Sequence, residues 1–279
     1  MSSEHSIHQL CAAFDVTRSG YQAWAKRRLT TRQQADANLL LLLRQGHEES
    51  RGTYGRPRLL VWLQRRGIRC GHNRGWRLLS TSGLSQKRRK KFRPVSLTDS
   101  NHELPVAPNR LLGAPQPSRL NQLWLADITY VNTDEDWLYV AGVMDRCSRR
   151  CIGWAMDDSL ETSLPLSALQ MALKHRTPPP GLVHHSDRGV QYASGLYRRT
   201  LQQAGVLCSM SRKGHCYDNA AMESFWSTLK RDLIHRVHFA TRAAARAAIF
   251  EWIEVFYNRT RLHSTLGFQS PVDFEQHIN

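Results

Sequence analysis

The stretch NQLWLADITYV, residues 121–131, is followed by DWLYVAGVMD at 136–145 and RRCIGWAMDD at 149–158. Each is a run of apolar, β-branched or aromatic residues, which favours a β-strand. The residues NTDED between the first two runs are typical of a hairpin turn. Together the three runs predict three consecutive antiparallel strands.

The chain after these strands alternates between helical and extended patterns. The run SLETSLPLSALQMALKHR at 159–176 has helical spacing of its apolar residues, and ASGLYRRTLQQAG at 193–205 predicts another helix. Between them, GLVHHSD at 181–187 predicts a short buried strand. Three antiparallel strands followed by alternating helix and strand indicate an α/β domain with a mixed sheet.

Two acids stand at exceptional places in this predicted sheet. Asp127 interrupts the apolar first strand, where side-chain alternation puts it on the same face as Leu125 and Val131. A carboxylate in a sheet interior is costly unless it is paired or metal-bound, so a functional role is favoured over a structural one. Asp187 follows the short strand and precedes Gly189, where ligands commonly bind in open α/β sheets. The alternative for Asp187 is a turn aspartate.

A third acid, Glu223, lies in the stretch SRKGHCYDNAAMESFWSTLK. Asp218 or Asn219 is expected to cap a helix here, with Glu223 in its second turn. Lys230 comes seven residues later and returns to nearly the same face, because a helix has about 3.6 residues per turn. Glu223 is thus expected to reach a metal while Lys230 points toward a phosphate; the alternative for Lys230 is a solvated face.

These three carboxylates suggest a metal-dependent nuclease or strand-transfer site. Hard divalent cations prefer oxygen ligands. Two such ions about 3.5–4 Å apart can stabilise the attacking and leaving oxygens of a phosphodiester displacement. Because many acidic triples can be drawn in this part of the chain, the surrounding residues must discriminate between them.

Basic residues are concentrated in the front of the chain. The 279 residues carry 39 Lys and Arg against 23 Asp and Glu, a net charge of +16. Residues 1–118 hold 21 of the basic and 7 of the acidic residues, a surplus of 14, which leaves a surplus of 2 for residues 119–279. Together with the three acids, this concentration of positive charge favours a protein that binds nucleic acid as substrate. The alternatives are a solvated basic surface, a ribosomal protein and a membrane-surface protein.

The sequence contains no sign of membrane insertion or secretion. No apolar run approaches the roughly 18–20 residues of a spanning helix, and residues 1–14 lack the apolar core of a signal peptide. We therefore expect a cytoplasmic protein without a membrane partner. The six cysteines form no C-x-x-C pair, which makes structural zinc a weak alternative.

The front of the chain reads as short helices. Candidates run from Ile7 to Phe14, from an N-cap at Ser19, and from Arg32 to about His47; their aromatics and leucines, including Trp24, are favoured as packing residues over base-stacking ones. The stretches at 51–67 and 72–84 then predict a helix-turn-helix whose second helix runs from about Asn73 to Leu79. Its buried residues are expected to be Leu59, Leu60, Trp62 and Leu63. Its basic residues expected to face DNA phosphates are Arg58, Arg65, Arg66, Arg74 and Arg77.

Helical periodicity fails between residues 86 and 118. The run QKRRKKFR at 86–93 is densely cationic, and five prolines follow it, which is typical of a linker. The residues of this run expected to contact DNA are Lys87, Arg88, Arg89, Lys90 and Lys91. Four segments follow: an N-terminal helical segment at 1–48, a helix-turn-helix-like DNA-binding module at 49–85, a basic linker at 86–118 and a catalytic core at 119–279.

Four blocks of the sequence resemble the second-frame, integrase-like transposases of bacterial insertion sequences, the IS-three family of the retroviral integrase superfamily. That family has W-x-x-D-I-T-Y around its first acid, H-S-D-R-G-x-Q-Y around its second, and D-N-A-x-x-E-S-F with a Lys seven residues on. This sequence matches them at Asp127, Asp187, Glu223 and Lys230. The stretch at 257–274 resembles the family ending Y-N-x-x-R-x-H-x-x-L-G-x-x-S-P-x-x-F. The front resembles the family's Y-G-x-R-R-I module, with Pro57 where the family usually has Arg.

The resemblance implies a ribonuclease-H-like mixed sheet, the integrase catalytic core, preceded by an all-α helix-turn-helix region. It also implies that Asp127 bridges two Mg²⁺ ions per active site, which Mn²⁺ can replace, and that Asp187 and Glu223 complete the ligand set. The implied reaction is DNA cleavage at the element ends followed by strand transfer into target DNA. His184 and His185 adjoin Asp187 and are candidates for proton transfer, although ordering of the loop is favoured for His185.

The implied partners are double-stranded DNA, both the terminal inverted repeats of the element and the target, and further copies of the chain on that DNA. An upstream-frame product, joined by ribosomal frameshifting, is also implied, as is association with the bacterial nucleoid. Two alternatives stay open. One is a ribonuclease-H-like nuclease that cuts without joining, and the other is an inactive DNA-binding remnant or regulator. The tail at 257–274 is expected either to hold DNA or to lock against the core.

Overall fold

The computed structural model describes residues 5–26, 28–84, 102–212 and 219–278. The chain divides into two compact units, residues 1–88 and residues 89–279. Within the described residues, no helix combines the length and apolar character needed to cross a lipid bilayer. The basic run with Lys87, Arg88, Arg89, Lys90 and Lys91 lies outside the described residues, and residues 102–118 form neither helix nor strand.

The front unit is helical, as the sequence predicts. Its helices are α1 (Ile7–Ala13), α2 (Arg18–Ala25), α3 (Thr31–Glu49), α4 (Arg56–Gln64) and α5 (His72–Thr81). The N-cap prediction at Ser19 is wrong, because Ser19 lies inside α2 and the Thr17 hydroxyl accepts the Gly20 N–H at 3.1 Å. The packing role predicted for Trp24 is also wrong within this unit, since its side chain is 69% exposed.

The helix-turn-helix is built on buried leucines and one tryptophan. Leu59, Trp62 and Leu63 of α4 are buried with Leu43 of α3, while Leu60 is partly buried. Gly75 of α5 allows a close approach, because a Cβ there would meet the Leu60 side chain at 2.8 Å. Apolar burial on this scale, rather than helix propensity, holds such short helices together.

The second unit contains a five-stranded mixed sheet in the order β3-β2-β1-β4-β5. Its strands are β1 (Leu123–Thr133), β2 (Asp136–Asp145), β3 (Cys151–Asp157), β4 (Val183–Ser186) and β5 (Leu207–Met210). The first three pair antiparallel, as predicted, while β4 runs parallel to β1 and β5 parallel to β4. Strand β5 was not predicted from the sequence; its four residues include a Cys and a Ser.

Helices and helical turns cover the sheet and complete the second unit. They are α6 (Ser163–His175), α7 (Val190–Ala193), α8 (Gly195–Gln203), α9 (Ala220–Leu229), a π-helical turn (Lys230–Ile234), α10 (Arg242–Glu251), a second π-helical turn (Trp252–Tyr257), a 3-10 turn (Ser264–Leu266) and α11 (Pro271–Ile278). One core cluster joins Trp124 and Ala126 of β1 to α6 and to Tyr192 and Tyr197 of α7 and α8. The cluster thereby packs the part of β1 that leads into Asp127 against the helices that follow Asp187.

Candidate active site

Asp127, in the middle of β1, lies beside Asp187, which directly follows the adjacent parallel strand β4. The β1–β4 register pairs Leu125 with His185, and each acid stands two residues beyond that pair. Neighbouring strands are about 4.8 Å apart, so the two acids share one level of the sheet. Both are partly buried. The Asp187 carboxylate also accepts the Gly189 N–H at 2.9 Å, so it makes the turn contact that was the alternative interpretation.

Glu223 reaches the same region from helix α9. It is exposed and lies in the first turn of the helix rather than in the predicted second turn. The predicted side-chain cap from Asn219 is absent, and Asp218 lies outside the described residues. Instead, the Asn219 side chain is buried and donates to the Ala126 carbonyl at 3.1 Å, one residue before Asp127. This bond ties the start of the helix to the first acid's strand, a role that could not be assigned from the sequence.

Two further residues bring α9 against the sheet. Gly142 of β2 stands opposite Asp127 in the β1–β2 register, and a Cβ there would meet the Trp226 ring at 3.0 Å. The Trp226 indole N–H is buried and makes no hydrogen bond of good geometry, yet it lies near enough to Asp127 to lower the pKa of that acid. Neither residue was singled out from sequence, although Trp226 falls inside the block around Glu223.

The electrostatics of Asp127 show that the three acids act on one another. Burial, followed by the charge of Asp187, raises the pKa of Asp127 to about 8, and the charge of Glu223 adds to this effect. A hydrogen bond from the Ile128 N–H opposes it. Although Glu223 is exposed, the protein atoms around its carboxylate remove part of its hydration and raise its pKa. Such repulsion between like charges is what a bound cation would relieve.

Lys230 brings a positive charge to this group. Its Nζ lies 4.6 Å from the centroid of the Tyr130 ring, a cation–π contact. Burial lowers the pKa of Lys230, while the charge of Asp127 acts in the opposite direction. The Tyr130 ring in turn packs edge-on against Trp137, with 4.8 Å between their centroids. Asp187, Glu223 and Lys230, predicted with Asp127 from three separate blocks of sequence, therefore all lie near enough to Asp127 to interact with it electrostatically.

Comparison with known proteins identifies the family of this chain. Two models described as "Integrase core domain" match residues 117–216 and 204–271, and one described as "HTH-like domain" matches residues 33–92. The chain is 46% identical to an insertion element IS600 protein of 31 kDa from Shigella sonnei, with 96% of this chain and 97% of that protein covered. It is 42% identical to transposase InsF of insertion sequence IS3A from Escherichia coli, with 98% and 95% covered. This chain belongs to the IS3 family of transposases.

The family models and the order of the sheet confirm the predicted fold class. The catalytic core domain of BIV integrase is similar in structure, with a TM-score of 0.43 and 14% identity over 56% of this chain and 95% of that one. The mixed five-stranded sheet is that of an integrase core, and the helical HTH-like region precedes it. Both features agree with the ribonuclease-H-like fold expected from the sequence.

Two histidines beside the acids have structural contacts in this family member. His185 is fully buried, with Nδ1 2.9 Å from the Ser209 hydroxyl and Nε2 2.9 Å from the Ser211 hydroxyl. His184 is fully buried against the Tyr197 hydroxyl at 3.0 Å, and burial lowers its pKa to about 3. A neutral imidazole without solvent access is a poor proton carrier at neutral pH. The contacts favour the loop-ordering interpretation for His185.

The donor set of this transposase suits a hard divalent cation. The three carboxylates supply only oxygen atoms, which is the ligand preference of Mg²⁺ and Mn²⁺. Among the residues that the structure describes, no three carboxylate, His or Cys groups are arranged as a ready-made metal site. The mutual repulsion at Asp127 nevertheless fits a site that is completed by binding cations rather than one formed by the protein alone.

The arginines predicted to face DNA lie in the front unit. Arg74 and Arg77 of α5 both donate to the carboxylate of Asp36, each at 2.6 Å, and remain 39% and 43% exposed. Arg66 is 2.8 Å from Glu49 and stacks over the Trp62 ring at 3.6 Å. Arg58 lies 6.0 Å from the Tyr54 ring centroid. Arg65 is exposed.

Proposed function

We propose that this chain is the catalytic polypeptide of an insertion sequence, which cleaves DNA at the element ends and transfers the strand into target DNA by a DDE mechanism. The observation that carries the proposal is the register of β1 and β4, which sets Asp127 beside Asp187, with Glu223 near enough for its charge to raise the pKa of Asp127. Membership of the IS3 transposase family supports it. The class of enzyme is a polynucleotidyl transferase.

The proposal gives each residue of the site a role. Asp127, Asp187 and Glu223 would hold two Mg²⁺ ions, with Mn²⁺ as a substitute, and these ions supply charge stabilisation and an activated water. Lys230, partly buried beside Asp127, binds and orients a DNA phosphate. Water cleaves a phosphodiester at the element end and leaves a 3′-hydroxyl. That hydroxyl then attacks a second phosphodiester, where a new P–O bond forms as the old one breaks and a different 3′-hydroxyl leaves, so no side chain forms a covalent intermediate.

The DNA partners are the terminal inverted repeats and the target. The helix-turn-helix at 56–81 contacts the DNA through Arg58, Arg65, Arg66, Arg74 and Arg77, and the linker contacts it through Lys87, Arg88, Arg89, Lys90 and Lys91. Paired ends are held by more than one copy of the chain. The net charge of +16 supports contact with a polyanion.

Fusion to the upstream-frame product is expected to strengthen end recognition. We expect the isolated chain to bind element ends weakly, because its own front unit offers one short HTH-like module. The fused form should cleave end-specifically at a higher rate. Cleavage assays with both forms on the same labelled ends measure the difference, and equal end-specific rates would contradict the expectation.

One assay separates this function from its alternatives. A labelled oligonucleotide carrying a pre-cleaved element end with a free 3′-hydroxyl is incubated with plasmid, Mg²⁺ and the chain. A joined product supports a transposase. Cutting of uncleaved ends without any joining would indicate a ribonuclease-H-like nuclease, and DNA binding without either reaction would indicate an inactive remnant or regulator.

Neutralising Asp36 should strengthen DNA binding by the front unit. Its carboxylate engages both Arg74 and Arg77, so Asp36→Asn leaves these two guanidinium groups to phosphates. We expect the affinity for double-stranded DNA to rise about 3- to 10-fold and the salt dependence to steepen, because each added phosphate contact steepens the slope by about 1. Fluorescence anisotropy across a salt series measures both.

The matched control for this prediction is Glu48→Gln. Glu48 is exposed in the same helix α3, and its neutralisation changes the net charge by the same amount. The two variants therefore differ in whether they release Arg74 and Arg77. If both variants gain the same affinity for DNA, the change in net charge alone explains the gain. The prediction that Arg74 and Arg77 contact DNA would then be wrong.

A further inference from the structure

The tail motif at 257–274 packs into the second unit with most of its polar residues turned inward. Tyr257, Asn258, Arg261 and His263 are 3%, 1%, 3% and 9% exposed. Arg259, between them, is exposed. Because its guanidinium group is buried, Arg261 cannot reach a DNA phosphate. The motif therefore locks against the core, one of the two roles expected from its sequence.

Arg261 forms a buried ion pair with Asp232. Its Nε lies 3.0 Å from the Asp232 carboxylate, and the two side chains are 3% and 0% exposed. The second carboxylate oxygen accepts from Arg231 at 3.1 Å. A buried ion pair of this kind contributes little net stability compared with two apolar side chains of similar volume. A contribution other than stability is thus expected from it.

Asp232 stands in the π-helical turn that directly follows the helix of Glu223. This turn runs from Lys230 to Ile234. At about 3.6 residues per turn, the seven residues from Glu223 to Lys230 return to the same face, whereas Asp232, nine residues on, is about half a turn away. The ion pair therefore holds the helix from the side opposite the acids. Single π-helical turns are frequent at functional sites.

The tail also supports α9 through aromatic packing. The Phe225 ring on this helix has its centroid 4.7 Å from that of Tyr257 and 5.7 Å from that of Trp252. The next residue, Asn258, is fixed to the edge strand β3, because its side chain accepts the Cys151 N–H at 3.0 Å and donates to the Cys151 carbonyl at 2.9 Å. The tail thus connects the sheet to α9.

We propose that Arg261 and Asp232 are positioning residues for strand transfer. Their ion pair fixes the turn after α9, so that the Lys230 ammonium group stays beside Asp127 and the Tyr130 ring, where it holds the DNA phosphate. The proposal rests on the proposed function, because it gives Lys230 the phosphate contact assigned there. The side chain that acts on DNA is Lys230, and the buried pair acts through it.

The test compares single and paired replacements of the two residues. Arg261→Met alone leaves a buried, unpaired carboxylate and should lower Tm by roughly 6–12 °C. The double variant Arg261→Met, Asp232→Leu replaces the pair by apolar side chains and should restore Tm to within about 4 °C of wild type. We expect the double variant still to join a pre-cleaved end about 100-fold more slowly in single-turnover assays, with DNA affinity within about threefold of wild type.

Arg259→Met and Arg261→Lys complete the set. Arg259 lies in the same tail but is exposed, so its replacement should leave the joining rate within about threefold of wild type. Arg261→Lys keeps the charge but loses the planar guanidinium group, and it should give an intermediate rate in a folded protein. Amide hydrogen exchange at residues 229–235 should be faster in the double variant than in wild type at matched Tm.

The outcomes separate the positioning role from a merely structural one. Recovery of both Tm and joining rate in the double variant would show that the pair serves stability alone. If the double variant does not fold, an unchanged joining rate in Arg261→Lys overturns the proposal instead. Equal losses of DNA affinity in Arg259→Met and the double variant would assign the tail to DNA binding. A wild-type chain that joins no DNA would refute the proposed function itself. The outcomes that overturn the positioning role all require an active wild type, so the two failures can be told apart.

Discussion

Asp187→Asn and Glu223→Gln should each slow strand transfer by at least about 1,000-fold in Mg²⁺, a loss of about 4 kcal/mol of transition-state stabilisation. Each change removes one anionic oxygen ligand while keeping the size of the side chain. In Asp187→Asn the new amide keeps an oxygen able to accept the Gly189 N–H, so the turn after β4 should be retained. DNA affinity and the circular dichroism spectrum should be close to those of wild type. Single-turnover joining of a pre-cleaved end measures the loss.

The control for these two variants is Glu161→Gln. Glu161 is an exposed acid just before α6. Its charge is not among the causes of the raised pKa of Asp127. Its neutralisation should leave the joining rate within about twofold of wild type. Joining by Asp187→Asn at the wild-type rate would remove the basis for a three-carboxylate mechanism.

The sequence predicts the parts of the site that depend on local pattern. Alternation along β1 places Asp127 on a buried face, the strand-to-loop position locates Asp187, and helical spacing relates Glu223 to Lys230. These inferences need only a few neighbouring residues and the family motifs. The predicted strands β1 to β4 follow from apolar runs for the same reason.

The contacts that align these parts could not be predicted, because they join distant residues through tertiary packing. The Asn219 side chain bonds to the carbonyl of Ala126, which lies 93 positions earlier in the chain. Gly142 of β2 leaves room for the ring of Trp226 on α9. A capping role for Asn219 is the reasonable local expectation, but the side chain bonds to the neighbouring strand instead. In the same way, Asp232 of the π-helical turn after α9 pairs with a distant residue, Arg261, which lies 29 positions further along the chain.

Asp127→Asn should stabilise the metal-free protein at the same time as it abolishes strand transfer. The folded-state pKa of Asp127 is raised to about 8 from an ordinary value of 3.8, first by burial and then by the charge of Asp187. The Asp127 carboxyl therefore contributes fully to the free energy of unfolding below about pH 4, and this contribution is lost as the pH rises from about 4 to 8. Because the side chain is partly exposed and screened, we expect the neutral amide to gain about 1–3 kcal/mol at pH 8, or roughly 3–9 °C in Tm.

Thermal unfolding in EDTA and in Mg²⁺, at pH 5 and pH 8, measures this effect. The wild-type Tm should fall from pH 5 to pH 8 more steeply than that of Asp127→Asn, and Mg²⁺ should raise the wild-type Tm at pH 8 but not that of the variant. Asp157→Asn serves as the control, because hydrogen bonds from the neighbouring Asp158 lower the pKa of Asp157, so its neutralisation should not stabilise the fold. A lower Tm for Asp127→Asn than for wild type in EDTA at pH 8 would mean that the carboxylate is held by favourable contacts of the protein itself. The acids would then have a structural role. Repulsion between them would not destabilise the fold in the absence of cations, and the prediction would be wrong.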